Sequence, residues 1–116
     1  MTTTLYGIKN CDTVKKARKW LEENTIDYTF HDFRVDGINA DMITGWLQQQ
    51  PVEKLVNKRS TTWKQLSDDD KNNLSDTSAI SLCVAHETLV KRPVLDHNGD
   101  IHLGFKAADY TAIFGK

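Results

Sequence analysis

One cysteine in this chain occupies a position where a reactive thiol is expected. Cys11 lies in the stretch from Tyr6 to Leu21, YGIKNCDTVKKARKWL, between a predicted short strand and a predicted amphipathic helix. A thiol at the start of a helix faces the positive end of the helix dipole and unpaired backbone N–H groups, and both favour the thiolate. Because the thiolate is the form that attacks disulfides and other electrophiles, the stretch predicts a nucleophilic cysteine at a strand-to-helix turn.

The residues around Cys11 act on it in opposite directions. Lys15 and Lys16 favour the thiolate and would attract an anionic thiol, whereas the carboxylate of Asp12 opposes its formation. Most free cysteines are small buried core residues, which is the competing interpretation. We favour a reactive cysteine instead, because Asn10 and Asp12 beside it are polar and because it lies in a turn.

The second cysteine, Cys83, lies in ISLCVAH, inside an apolar pattern with helical spacing. Buried cysteines of this kind are usually inert, so the pattern favours core packing. A role as a resolving partner for Cys11 stays open. The residue three positions after Cys11 is Val14, so the chain has no CxxC motif and Cys11 is predicted to act as a single thiol.

Hydrophobic periodicity predicts the elements that must position Cys11. Val14, Ala17 and Leu21 fall on one helical face and predict a helix over residues 12–24. The other predicted elements are strands over 3–8, 26–33, 89–95 and 101–105, a hairpin turn over 96–100 with Asn98–Gly99 as its strongest signal, helices after the caps Asn39 and Ser67, helices over 77–89 and 106–114, and a connecting segment over 51–65. Val84 is expected to face inward. The order predicts one α/β domain, with residues 1–35 and 89–116 as its scaffold and 36–88 as an inserted helical block.

Composition argues against a nucleic-acid-binding, membrane-embedded or secreted protein. A net charge of −1 and a pI near 6.4 predict no general attraction to nucleic acid or to anionic membranes. No apolar run approaches the roughly 20 residues that a membrane helix needs, and MTTTLYGIK lacks the features of a signal peptide. The histidines and cysteines have no metal-ligand spacing. Two distant cysteines fit a cytoplasmic protein with a functional thiol better than a disulfide framework.

Four stretches together resemble the arsenate reductase (ArsC) family of glutaredoxin-like proteins. They are YGIKNCDTVKKARKWL, the central LVNKRSTTWKQL, LVKRPVL, and HLGF near the end. Within that family the chain is similar to the small YffB-like bacterial branch, and it is also related to the Spx-type regulators. The resemblance implies a thioredoxin-like fold, β-α-β followed by a β-hairpin and a terminal helix, with an inserted helical block.

The resemblance assigns roles to the residues that match the family pattern. It implies that Cys11 is the nucleophile, that Thr13 supplies the hydroxyl that follows it, and that Arg92 holds an anion. Pro93 is expected to follow a cis peptide bond beside the cysteine. Asn10 and Lys15 are expected to contribute to substrate or glutathione binding.

The arsenate reductases of this family use two further arginines for the oxyanion. Their positions correspond to Asn57, with Arg59 two residues later, and to Gly104. Asn57 and Arg59 are therefore included among the expected substrate-binding residues. Bidentate arginine donors are what an oxyanion site needs, so this pattern argues against efficient arsenate reduction.

The resemblance thus implies a glutathione-dependent monothiol thiol-disulfide reductase. Glutathione is expected as co-substrate, with no bound cofactor and with glutaredoxin as a further partner. Arsenate reduction on the same cysteine is one alternative. A regulator of Spx type, with RNA polymerase as its partner, is another.

Overall fold

The computed structural model describes residues 2–116; Met1, which the predicted domain includes, lies outside them. The strands are β1 (Thr3–Gly7), β2 (Thr29–Asp32), β3 (Val94–His97) and β4 (Asp100–Leu103). The helices are α1 (Asp12–Glu23), α2 (Ala40–Leu47), α3 (Val52–Leu55), α4 (Thr61–Gln65), α5 (Asp68–Asn72), α6 (Asp76–Ala85) and α7 (Ala107–Phe114), with a 3₁₀ turn at Glu87–Leu89. Within residues 2–116, no helix has the length and apolar character needed to cross a bilayer.

The chain divides into two compact units. The first contains the residues up to Asp36 together with Arg92–Lys116, and it holds all four strands with α1 and α7. The second is Gly37–Lys91 and contains α2 to α6.

The first unit is built on a mixed sheet with the strand order β2-β1-β3-β4. β1 runs parallel to β2 and antiparallel to β3, and β3 pairs antiparallel with β4. A parallel pair requires a crossover connection, which α1 supplies. The predicted α/β architecture is therefore confirmed.

The core of the first unit lies between α1, α7 and the sheet. Leu5 of β1 and Leu95 of β3 are neighbours in register, and they pack with Ala17, Leu21 and Tyr110 in one fully buried cluster. Burying a large aliphatic side chain contributes roughly 2 kcal/mol. This packing fixes α1 against β1 and therefore fixes the turn between them.

The hairpin that joins β3 to β4 turns at the predicted Asn-Gly pair, but the loop is shorter than the predicted 96–100. His97 pairs with Asp100, which leaves a two-residue loop of Asn98 and Gly99. Both have positive φ, 55° and 92°, as a type I′ turn requires.

All four predicted strands are longer than the strands themselves, and the largest differences are at the starts of β3 and β2. The predicted strand over 89–95 begins only at Val94, because Leu89 ends a 3₁₀ turn and Val90 forms an isolated bridge with Val56. The strand predicted over 26–33 begins at Thr29. The Ile26 backbone N–H instead closes the end of α1 by donating to the Leu21 carbonyl.

The second unit is more helical than predicted. The connecting segment over 51–65 contains α3 and α4, and the Ser60 side chain caps α4 by accepting from the Trp63 N–H. The helix predicted over 77–89 spans Asp76–Ala85, starting at a Ser75 capping box. Val84 is exposed rather than inward, because the buried positions of α6 are Ala79 and Cys83, one turn apart.

Candidate active site

Cys11 is the N-cap residue of α1. Its backbone is extended, with φ −85° and ψ 125°. Its N–H donates to the Ile8 carbonyl at 3.1 Å, which closes a tight turn after β1, and its carbonyl accepts from Lys15 N–H at 2.9 Å as the first helical hydrogen bond. The thiol is free and partly exposed, so a substrate can reach it.

The surroundings of Cys11 lower its pKa below the ordinary value. Partial burial raises the pKa of the thiol, but the backbone N–H of Val14, the Arg92 guanidinium and the backbone N–H of Thr13 together outweigh that effect. Arg92 acts both as a hydrogen-bond donor and as a positive charge. The arrangement therefore favours the thiolate, the nucleophilic form.

The sheet brings Arg92 to this position. Val94 of β3 pairs with Tyr6 of β1, so the segment that leads into β3 reaches the same end of the sheet as the turn after β1. The Arg92–Pro93 peptide bond is cis, as the family resemblance implies. The Pro93 carbonyl accepts from Gly104 N–H at 2.9 Å, which ties this segment to the end of β4.

Three other predicted site residues lie beside Cys11 in sequence and in structure. Thr13 is in the first turn of α1, where its backbone N–H acts on the thiolate. Asn10 and Lys15 flank the cysteine and are exposed. Their side chains are therefore accessible to a substrate.

Asn57 and Arg59 lie in the second unit, where they form a local turn. The Asn57 side-chain oxygen accepts from Arg59 N–H at 3.1 Å. The Asn57 backbone N–H donates to the Leu89 carbonyl at 2.7 Å, and its carbonyl accepts from the Ser60 hydroxyl. Arg59 is exposed. The Asn57 side chain thus caps its own loop, and its substrate-binding role stays a prediction.

Gly104, at the position of a third family arginine, has φ 77°. This is the left-handed region, which strains residues with a side chain. The local backbone is therefore built for glycine rather than for an arginine.

Cys83 has the properties of a core residue. Its side chain is 0% exposed in the second unit, and burial raises the pKa of its thiol to about 12. A buried thiol with so high a pKa is a poor nucleophile. The structure therefore favours the packing interpretation.

Val14 was predicted from the sequence as a core residue at the position where a CxxC motif would have its second cysteine. Its backbone N–H also lowers the pKa of Cys11. The signal was present in the sequence, because an N-cap side chain is contacted by the N–H groups two and three positions later. With Cys11 as N-cap, those positions are Thr13 and Val14.

The fold and the site define an α/β protein of thioredoxin-like fold with one accessible cysteine at its first strand-to-helix turn. Residues 6–113 match the ArsC family, and the chain belongs to that family. An uncharacterized protein from Haemophilus influenzae is 47% identical over 111 residues, covering 96% of this chain and 97% of the relative. The global transcriptional regulator Spx 2 of Bacillus anthracis is 27% identical, covering 87% of this chain and 78% of the regulator.

Solved structures agree with this assignment. A YffB protein is 40% identical with a TM-score of 0.92, covering 96% of this chain and 97% of the other. An arsenate reductase-related protein from Brucella melitensis is 46% identical with a TM-score of 0.79, covering 100% and 97%. An arsenate reductase from Vibrio cholerae, at 19% identity and a TM-score of 0.83 over 97% and 98% of the two chains, shows the shared fold.

Proposed function

We propose that this protein is a glutathione-dependent monothiol thiol-disulfide reductase in which Cys11 is the nucleophile. The observation that carries the proposal is the pairing of a partly exposed Cys11 thiol with the Arg92 guanidinium at the start of α1. A thiol held in this way is ionised at lower pH than a free cysteine and can attack a disulfide.

The reaction proceeds through a mixed disulfide. The Cys11 thiolate attacks one sulfur of a substrate disulfide, forms a new S–S bond, and releases the other sulfur as a thiolate that takes a proton from water. Glutathione thiolate then attacks the mixed disulfide and restores Cys11. With a glutathione mixed disulfide as substrate, Cys11 takes the glutathionyl group, so the attacking glutathione leaves with it as glutathione disulfide. With another disulfide, the resolving attack releases the substrate sulfur bonded to glutathione, and a second glutathione attacks that bond, freeing the substrate thiol and forming glutathione disulfide. In both cases the substrate gains two electrons, and glutathione supplies them.

Resolution from outside suits a chain with one accessible thiol. Cys83 is fully buried with a pKa near 12, and Val14 occupies the position that a second cysteine of a CxxC motif would hold. Arg92 and the exposed Lys15 supply positive charge for a glutathione carboxylate.

Steady-state reduction of a glutathione mixed disulfide, coupled to glutathione reductase, tests this function. We expect turnover by the wild type, loss of turnover in Cys11→Ser, and retained turnover in the matched variant Cys83→Ala. Turnover that persists in Cys11→Ser would overturn the proposal, and so would a folded wild type with no turnover.

Arsenate reduction is a second candidate, since the family and the Cys11–Arg92 pair both suit it. It requires an arginine-rich oxyanion site, and glycine with φ 77° occupies one of the expected positions. We expect arsenite formation with glutathione and glutaredoxin to stay near the background rate. Efficient Cys11-dependent formation of arsenite would favour this candidate instead.

A regulatory role is the third candidate, supported by the similarity to Spx 2 across 87% of this chain. Its partner would be RNA polymerase. A pull-down with the C-terminal domain of the polymerase α-subunit separates it from the enzymes. Binding that persists in Cys11→Ser, without thiol turnover by the wild type, would favour the regulator.

A further inference from the structure

Gly7 is required at the end of β1 for space rather than for backbone freedom. It is buried, it pairs with Asp32 of β2, and its carbonyl accepts from Phe33 N–H at 2.9 Å. Its φ is outside the left-handed region that Gly37 and Gly99 adopt. Any residue could therefore take the Gly7 backbone conformation, and glycine in a strand is otherwise unfavourable.

The space that a side chain would need is filled by Val14. A Cβ atom built on Gly7 would lie 2.7 Å from Val14 Cγ2 and 3.2 Å from Val14 Cγ1. Val14 is fully buried, and a β-branched side chain in a helix has one strongly preferred rotamer. Because Val14 cannot readily turn away, a side chain at Gly7 would push the first turn of α1 away from β1.

That first turn is the part of α1 that acts on Cys11. The Val14 side chain fills the space beside Gly7, and the Val14 backbone N–H, at the third helical position, lowers the pKa of Cys11. Cys11 is itself held to the strand side by its N–H bond to the Ile8 carbonyl. A displacement of the helix start would thus change the position of the N–H groups relative to the sulfur.

We propose that Gly7 is a positioning residue for Cys11: its missing side chain lets Val14 pack directly on β1, and this contact places the N–H groups of the first turn of α1 where they stabilise the Cys11 thiolate. The inference deepens the proposed function, because it concerns the reactivity of the same nucleophile. Because it concerns the thiol itself, it can be tested without the substrate.

The pH dependence of Cys11 alkylation by iodoacetamide tests this role in the Gly7→Ala variant. At a pH below the wild-type midpoint, the variant should react roughly threefold or more slowly than wild type, because less of its thiol is ionised. The midpoint of the alkylation profile should move to higher pH. A loss of packing that left the thiolate contacts intact would lower stability without moving this midpoint.

Three further variants make the test specific. Val14→Ala removes the clashing methyl groups but keeps the backbone N–H, so the Gly7→Ala/Val14→Ala double variant should regain most of the wild-type midpoint. Val14→Ala alone is the reference for that comparison. Gly45→Ala, at a position in α2 where the new Cβ meets no side chain within 4 Å among the described residues beyond its chain neighbours, should leave the profile unchanged.

The outcomes separate this inference from the proposed function. A folded Gly7→Ala protein with the wild-type alkylation profile would overturn the role of Gly7, even if the wild type reduces glutathione mixed disulfides. A wild type without turnover, combined with a shifted midpoint in Gly7→Ala, would overturn only the reductase. If Gly7→Ala fails to fold, the double variant decides: wild-type-like reactivity supports the steric contact, and a high midpoint or failure to fold contradicts it.

Discussion

The Arg92 guanidinium lowers the pKa of the Cys11 thiol, both as a hydrogen-bond donor and as a positive charge. The two residues are far apart in sequence, and the antiparallel pairing of β1 with β3 brings them to one end of the sheet. The backbone N–H groups of Thr13 and Val14 act from the helix side. The thiolate is therefore stabilised by two separate parts of the first unit.

Replacing Arg92 should shift Cys11 toward the thiol. In Arg92→Ala we expect the alkylation midpoint to move to higher pH, with a rate at neutral pH lower by roughly three- to tenfold. The alkylation midpoint of Arg92→Lys should lie between those of wild type and Arg92→Ala, since lysine keeps the positive charge but lacks the planar donors of the guanidinium. Thiolates of higher pKa are intrinsically more nucleophilic, so the full pH profile is the readout.

Lys19→Ala is the matched control for that series. Lys19 is also a cation of the first unit, but its exposed side chain pairs with Glu23 in α1. The variant should keep the wild-type midpoint. An equal shift in both variants would assign the effect to general surface charge.

Protein stability should depend on pH through the same thiol. The folded pKa of Cys11 lies below its unfolded value, so between the two values the unfolded chain binds a proton that the folded chain has lost. The contribution of Cys11 is thus complete above the unfolded pKa, about 8.5, and is lost as pH falls through the folded pKa. Urea unfolding gives the free energy of unfolding of wild type and of Cys11→Ser across this pH range. As pH rises, the wild-type value should increase relative to that of Cys11→Ser. A difference between the two proteins that does not change with pH would contradict this linkage.

The Tyr110 hydroxyl should contribute little to stability. Tyr110 is 1% exposed, its ring packs edge-on against Trp20 and Phe105, and its hydroxyl has no hydrogen-bond partner among residues 2–116. We expect Tyr110→Phe to be neutral or to raise the free energy of unfolding by up to about 1 kcal/mol, because it removes an unsatisfied polar atom. A loss above 1 kcal/mol in urea unfolding would show that the hydroxyl is bonded.

Tyr28→Phe serves as the comparison for Tyr110→Phe. The Tyr28 hydroxyl accepts from Arg18 Nε at 3.1 Å and donates to Glu22 Oε2 at 3.4 Å. Removing this hydroxyl should lower the free energy of unfolding by about 0.5–1.5 kcal/mol. The two changes delete the same atom, so their difference measures the hydrogen bonds.

Gly104 should resist substitution because of its backbone. With φ 77°, Gly104→Ala should lower the free energy of unfolding by about 1 kcal/mol or more. Gly45→Ala, inside α2 with open space at its Cβ, should instead raise it by about 0.5–1 kcal/mol. Thermal unfolding should therefore show a lower melting temperature for Gly104→Ala and a higher one for Gly45→Ala than for wild type. A Gly104→Ala protein more stable than wild type would contradict the inferred strain.

The sequence predicted the elements with strong local signals. The periodicity of Val14, Ala17 and Leu21 located α1, and the Asn98–Gly99 pair located the hairpin turn, because each pattern depends only on neighbouring residues. The position of Cys11 at a helix start was predicted for the same reason, since a helix start is a local feature; its role as nucleophile stays a prediction.

The features that sequence reasoning missed depend on tertiary contacts. The strand predicted over 89–95 is apolar, yet Val90 forms its bridge with Val56 in the second unit, a pairing that no local pattern encodes. Val84 satisfied helical spacing, but the buried positions of α6 are Ala79 and Cys83. The contact between Gly7 and Val14 likewise depends on how α1 packs against β1.

The pKa of the Cys11 thiol is the most direct test of whether Cys11 is an activated nucleophile. It can be measured as the midpoint of the alkylation rate against pH in Cys83→Ala, where Cys11 is the remaining cysteine. We expect a midpoint clearly below the ordinary value of about 8.5, since Arg92 and two backbone N–H groups outweigh the effect of partial burial. A midpoint at or above that value would contradict the assignment of Cys11 as an activated nucleophile.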